Sequence, residues 1–98
     1  KNIPSDMPEE LFEIISEKDN IKIERIISDG HSTPDDYWYD QDKDEFVILL
    51  KGNAVLLFEN DERVDLSEGD YVVIPKHCRH KVLGTSKETK TIWLAVHY

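Results

Sequence analysis

From Ile21 onward the chain is written in short runs of β-branched and aromatic residues. They are IKIERII (21–27), EFVILL (45–50), AVLLFE (54–59), ERVDL (62–66), DYVVI (70–74), HKVL (80–83) and TIWLAV (91–96). Gly, Pro, Asn, Asp or Ser bounds each run, and these are the residues that let a chain turn. Strands this short and closely spaced point to an all-β fold, an antiparallel sandwich or barrel. Asn60-Asp61 reads as a two-residue hairpin because both residues tolerate positive φ. Gly52, Gly69 and Gly84 are expected at further turns.

The first twenty residues follow another period. In SDMPEELFEIISEKDN (5–20), Asp6 can cap a helix, with Glu9 three residues on and Pro8 in the first turn. Met7, Leu11, Ile14 and Ile15 then share one helical face, with Phe12 beside it. The expected organisation is an N-terminal helical segment over 1–20 and a β-barrel over 21–98, one domain overall. EFVILL and TIWLAV do not alternate, so both of their faces should be covered. A short helix covers little, and a homodimer interface is the expected cover. A closely packed two-sheet monomer is the alternative.

Charge limits the partners. Twelve Lys and Arg stand against 21 Asp and Glu, a net charge of -9 over 98 residues. No basic stripe interrupts that surface, which argues against nucleic acid and anionic membranes. Cys78 is the single cysteine, so no internal disulfide is possible and a reducing, cytoplasmic setting is expected. No apolar stretch near the start is long enough for a signal peptide or a membrane span.

The chemistry-bearing residues gather in two places. Pro75-Lys-His-Cys-Arg-His80 follows a strand-like run and holds His77 and His80, two of four histidines. DDYWYDQDKDE (35–45) carries three consecutive aromatics among acids and ends on Glu45, which opens an apolar run. A buried carboxylate there needs a partner or a raised pKa. By alternation His97 shares a face with Trp93 and Ala95, without saying whether that face is inside. Its place beside Tyr98 favours a structural or frayed side chain. Cys78 adjoins His77, but strand neighbours point oppositely, which weakens a thiol-nucleophile reading.

These spacings resemble the cupin superfamily, and the small single-domain Cupin_2 kind in particular. That family carries G-x5-H-x-H-x3-4-E-x6-G, then G-x5-P-x-G-x2-H-x3-N. Gly69, Pro75 and His80 match the second motif, and Glu45 and Gly52 match the end of the first. The resemblance covers about Ile21 to Val96 and implies a jelly-roll β-barrel. It also implies a divalent metal held by the two first-motif histidines, the glutamate and the second-motif histidine. Only Glu45 and His80 carry over. The H-x-H positions fall on Trp38 and Asp40 with the longer spacer, or on Tyr39 and Gln41 with the shorter. His77 stands at the second motif's glycine, and Gly84 at its asparagine.

Asp40, Gln41, His31 and His77 are therefore candidate replacement ligands beside Glu45 and His80, for Zn, Fe, Mn or Ni. The expected function is binding of a metal and a small molecule in the barrel, with chemistry on a small oxygen-containing substrate. Glu45 would be an anionic ligand or, without metal, a general base. The alternative is a non-catalytic ligand-binding or interaction cupin that has lost the metal. In its ligand-binding form His80 and Arg79 are polar anchors and Trp38 and Tyr39 apolar walls.

Overall fold

The computed structural model describes residues 10–98. Every regular element among them is a strand: β1 (Leu11–Lys18), β2 (Ile21–Ser28), β3 (Glu45–Lys51), β4 (Ala54–Phe58), β5 (Arg63–Leu66), β6 (Tyr71–Ile74), β7 (His80–Thr85) and β8 (Thr91–His97). The seven strands expected after Asn20 are all present. Five strands form one antiparallel sheet in the order β1-β2-β8-β3-β6, and three form another in the order β5-β4-β7. The two pack face to face as a jelly-roll barrel.

β1 corrects the helical reading. Leu11 to Lys18 pair antiparallel with Ile27 to Ile21, and the register shifts between Ile14 and Ser16. The bulge places Ile14 and Ile15 together, so Leu11, Ile14 and Ile15 imitate helical spacing in a strand. Glu13 lies opposite Arg25 and accepts from its Nε at 2.7 Å, fixing that register. The cap residues Asp6, Pro8 and Glu9 lie outside the described residues.

β3 and β8, the two runs without alternation, lie side by side in the middle of the large sheet. Their inward residues, Val47, Leu49, Trp93 and Ala95, meet Ala54, Leu56 and Phe58 of β4 in the core. Each large apolar side chain so buried contributes ~1.5–3 kcal/mol. Their outward residues join Tyr71 and Val73 of β6, both exposed, and the Phe46 and Tyr71 rings lie 5.5 Å apart.

Two turns differ from expectation. Phe58 N–H donates to Glu62 O and Asp61 N–H to Phe58 O, closing a three-residue loop in which Asp61 alone has positive φ, 67°. Gly84 lies within β7, where pairing with β4 shifts so that Val55 faces Gly84 and Leu56 faces Val82. Gly52 is a true turn glycine. Its φ is +89°, and a Cβ there would fall 2.5 Å from Thr91 Oγ1.

The acidic segment before β3 is more than a solvated connection. Tyr39 and His80 exchange both backbone hydrogen bonds, at 2.7 and 3.1 Å, and Thr33 N–H donates to Val82 O. The segment thus runs along the free edge of β7 and covers it. The His77 amide donates to Gln41 O, and the Lys76 amide to Asp44 Oδ1, tying the segment to the 75–78 turn.

Candidate functional site

A small, partly open cavity lies between the two sheets. Its polar end is lined by Glu24, Tyr39, Gln41, Glu45, His80 and His97. Strand parity puts them there: Glu24 shares its side of β2 with Ile26, Glu45 precedes Val47 on β3, and His97 follows Trp93 and Ala95 on β8. The remaining wall is largely apolar, with Ile26, Val47, Leu56, Val82 and Trp93. Glu10 and Phe12 stand on the side of β1. A largely apolar cavity with a few convergent polar groups suits a small molecule.

The polar groups form two carboxylate–imidazole pairs. His97 Nε2–H donates to Glu24 Oε1 at 2.8 Å, and both side chains are buried. His80 Nε2 stands 3.8 Å from Glu45 Oε1, too far for a hydrogen bond, and these are equally buried. His80 Nδ1 is 2.9 Å from the Cys78 carbonyl, which can only accept, so Nδ1 carries a proton. Tyr39 stacks on His80 at 5.6 Å and 26°, fixing the ring from the cavity mouth. Trp93 Nε1–H donates to Ser28 Oγ, and that hydroxyl donates to Glu10 Oε2, continuing the polar lining toward β1.

Burial shifts two acids. Glu45 is raised above the ordinary carboxylate range, first by desolvation and then by Glu24; His97, His80 and, most weakly, Lys22 pull it back. The Tyr39 phenol is raised as well, by burial and by the carboxylates of Glu10, Glu45 and Glu24. It keeps its proton.

The sequence candidates separate cleanly. Glu45, His80, Tyr39 and Gln41 line the cavity; Asp40, Trp38, Arg79, His77 and His31 do not. The shorter H-x-H spacer is therefore the one the fold follows. Asp40 points outward to His77 Nδ1 at 2.9 Å. His77 has φ +61°, which explains why a glycine suits that position. Trp38 lies under Arg79 and Lys81, at 5.9 and 4.7 Å from its ring centre. His31 Nδ1 accepts from the Asp29 amide in the loop after β2. Glu24, His97 and Glu10 escaped the sequence reading as site residues. The parity of His97 with Trp93 was a usable signal; Glu24 had none, because β2 reads apolar at Ile21, Ile23 and Ile27, on its other side.

A jelly roll closed around such a cavity has the architecture of a cupin. Residues 25–97 match the Cupin_2 cupin domain family, and the chain belongs to it. A solved structure from Ralstonia eutropha JMP134, provisionally assigned as a mannose-6-phosphate isomerase, is similar at 40% identity and TM-score 0.94. The match covers 98% of this chain and 90% of that one. A cupin superfamily protein of Desulfitobacterium hafniense DCB-2 shares the fold at 23% identity and TM-score 0.79, over 97% of this chain and 82% of that one. The 3-hydroxyanthranilate 3,4-dioxygenase of Paraburkholderia phytofirmans strain PsJN is 46% identical over 46 residues, 44% of this chain and 26% of that enzyme. The chain thus spans about a quarter of the length of the curated relatives it matches.

Cupins commonly bind a metal, and the residues here fit that sphere poorly. Tyr39 and Gln41 replace the paired histidines. A phenol held protonated and a neutral amide are weak donors beside Glu45 and His80. Among the described residues no group of three or more His, Cys, Asp or Glu is gathered as a metal site.

Proposed function

We propose that the protein binds a small molecule inside its barrel and that Glu45 and His80 are its polar anchors. One observation carries this reading: the Glu45 carboxylate is buried, lines the cavity and has no hydrogen bond among the described residues, with His80 Nε2 across a 3.8 Å gap. The carboxylate oxygens face the cavity rather than a protein donor, and a ligand that donates to them gains a charge-assisted hydrogen bond. Tyr39 orients His80, Gln41 adds an amide at the mouth, and the apolar wall takes the body of the ligand. Saturation-transfer NMR of the full chain with a set of small polar fragments tests this. Binding that His80→Ala and Glu45→Ala each weaken at least about tenfold is expected; fragments bound equally by all three proteins overturn the reading.

The second reading is a metal-dependent enzyme using Zn, Fe, Mn or Ni at Glu45 and His80. The imidazole nitrogen facing Glu45 favours it, as does the partial likeness to a dioxygenase. Elemental analysis of protein purified without an affinity tag decides it. Stoichiometric metal, lost in both variants, would establish this reading over the first.

A homodimer through the outer side of the large sheet is also proposed. Tyr71 and Val73 are 64% and 50% exposed there, in line with the outward residues of β3 and β8. Sedimentation at micromolar concentration should give a dimer, and Val73→Arg a monomer; a monomeric parent protein removes the proposal. A cytoplasmic setting is proposed from the single cysteine alone.

A further inference from the structure

We propose that the molecule taken into the barrel is a small organic cation, a primary ammonium on a short apolar body; this rests on the ligand-binding reading above. Charge is the first argument. Glu10, Glu24 and Glu45 contribute carboxylates to the cavity wall, and among the described residues no lysine or arginine lines it. Arg79 and Lys81 are engaged over the Trp38 ring instead. A phosphate or carboxylate would be desolvated against acids with no cation to receive it, which is costly.

The second argument is the hydrogen-bond inventory. His80 is held through Nδ1 by the Cys78 carbonyl, which leaves Nε2 as the ring atom that faces Glu45 across the cavity. Glu45 Oε1 stands 3.8 Å from that nitrogen, so neither group is hydrogen-bonded to the other and the gap between them is open to a donor. The Glu24–His97 pair shows the contrast: there a donor meets an acceptor and the distance closes to 2.8 Å. An ammonium carries three N–H donors. Two of them bridge Nε2 and Glu45, and Gln41 on the same wall offers an amide oxygen to the third.

The third argument is the remaining wall. Ile26, Val47, Leu56 and Val82 give an apolar surface for the body of the ligand, and the Trp93 and Tyr39 rings add faces that attract a cation. A bare metal ion would leave that apolar surface unused and would lack the donors it needs.

Calorimetric titration of the EDTA-treated full chain with benzylamine, benzyl alcohol, benzoate and glucose 6-phosphate tests the proposal. Benzylamine should bind at least about tenfold tighter than benzyl alcohol, the difference a charge-assisted hydrogen bond supplies. Benzoate and the sugar phosphate should not bind. Glu45→Gln, with folding verified by its melting curve, should erase the preference for amine over alcohol. Arg79→Ala should leave it intact. Benzoate or glucose 6-phosphate binding as well as the amine overturns the selection of a cation while leaving the ligand-binding reading in place. Amine binding that needs added Zn²⁺ also overturns it. If none of the four binds, both readings fall.

Discussion

The two carboxylate–imidazole pairs of the cavity have the same chemical components and similar burial, yet one is closed and the other open. Glu24 and His97 meet at 2.8 Å, whereas Glu45 and His80 stand 3.8 Å apart with no hydrogen bond between them. The difference lies in what holds each imidazole. His97 on β8 meets Glu24 on the neighbouring β2 directly through Nε2. His80 is pinned by the Cys78 carbonyl on one nitrogen and by the Tyr39 ring on its face. A closed pair satisfies its own members; the open pair leaves both groups facing the cavity, as the proposed ligand-binding role requires.

The largest effect should come from breaking the closed pair. His97→Ala leaves the Glu24 carboxylate buried without a partner, and urea unfolding should show a loss of about 3 kcal/mol or more. Replacing both members with apolar residues of similar volume should restore much of that loss. If His97→Ala costs less than the double replacement, the closed pair is not structural.

The open pair should respond in the opposite direction. Glu45→Gln removes a desolvated carboxylate that has no hydrogen bond to lose among the described residues, and a gain of up to about 1 kcal/mol at neutral pH is expected, the sign typical of a site kept for function. A loss of comparable size would mean that Glu45 is held by contacts as firm as those of Glu24.

The smallest effect is a difference in pH dependence. Because the folded state raises the Glu45 pKa, its contribution is most favourable where the group is protonated in both states, below the ordinary carboxylate value of about 4.3. Stability then declines as pH rises from that value through the raised folded one. Comparing unfolding curves of the parent and Glu45→Gln should show this decline in the parent alone. An identical slope in both would exclude Glu45 as its source.

Much of the barrel could be read in the sequence because strands after Asn20 announce themselves by composition and turn residues. β1 could not, since a bulge at Ile15 reproduces helical spacing locally and only pairing with β2 distinguishes the two. The site divides the same way. Glu45, His80, Tyr39 and Gln41 occupy motif positions, so spacing found them. Glu24 and His97 are brought in by strand parity and by pairing across 73 residues, and no local pattern states which side of a strand becomes the inside. His77 drew notice as a histidine, but its backbone matters more: a left-handed turn residue bonded to Asp40 outside the cavity.

The Tyr39–His80 backbone bridge makes the rim of the cavity and the margin of a β-sheet one piece of chain. If the proposed ligand leaves by displacement of this segment, the bridge must open with it. Residence time of that ligand and the exchange lifetimes of those two amide protons would then be two clocks set by a single opening. Their ratio should stay constant across variants that loosen the segment from Thr33 to Asp44.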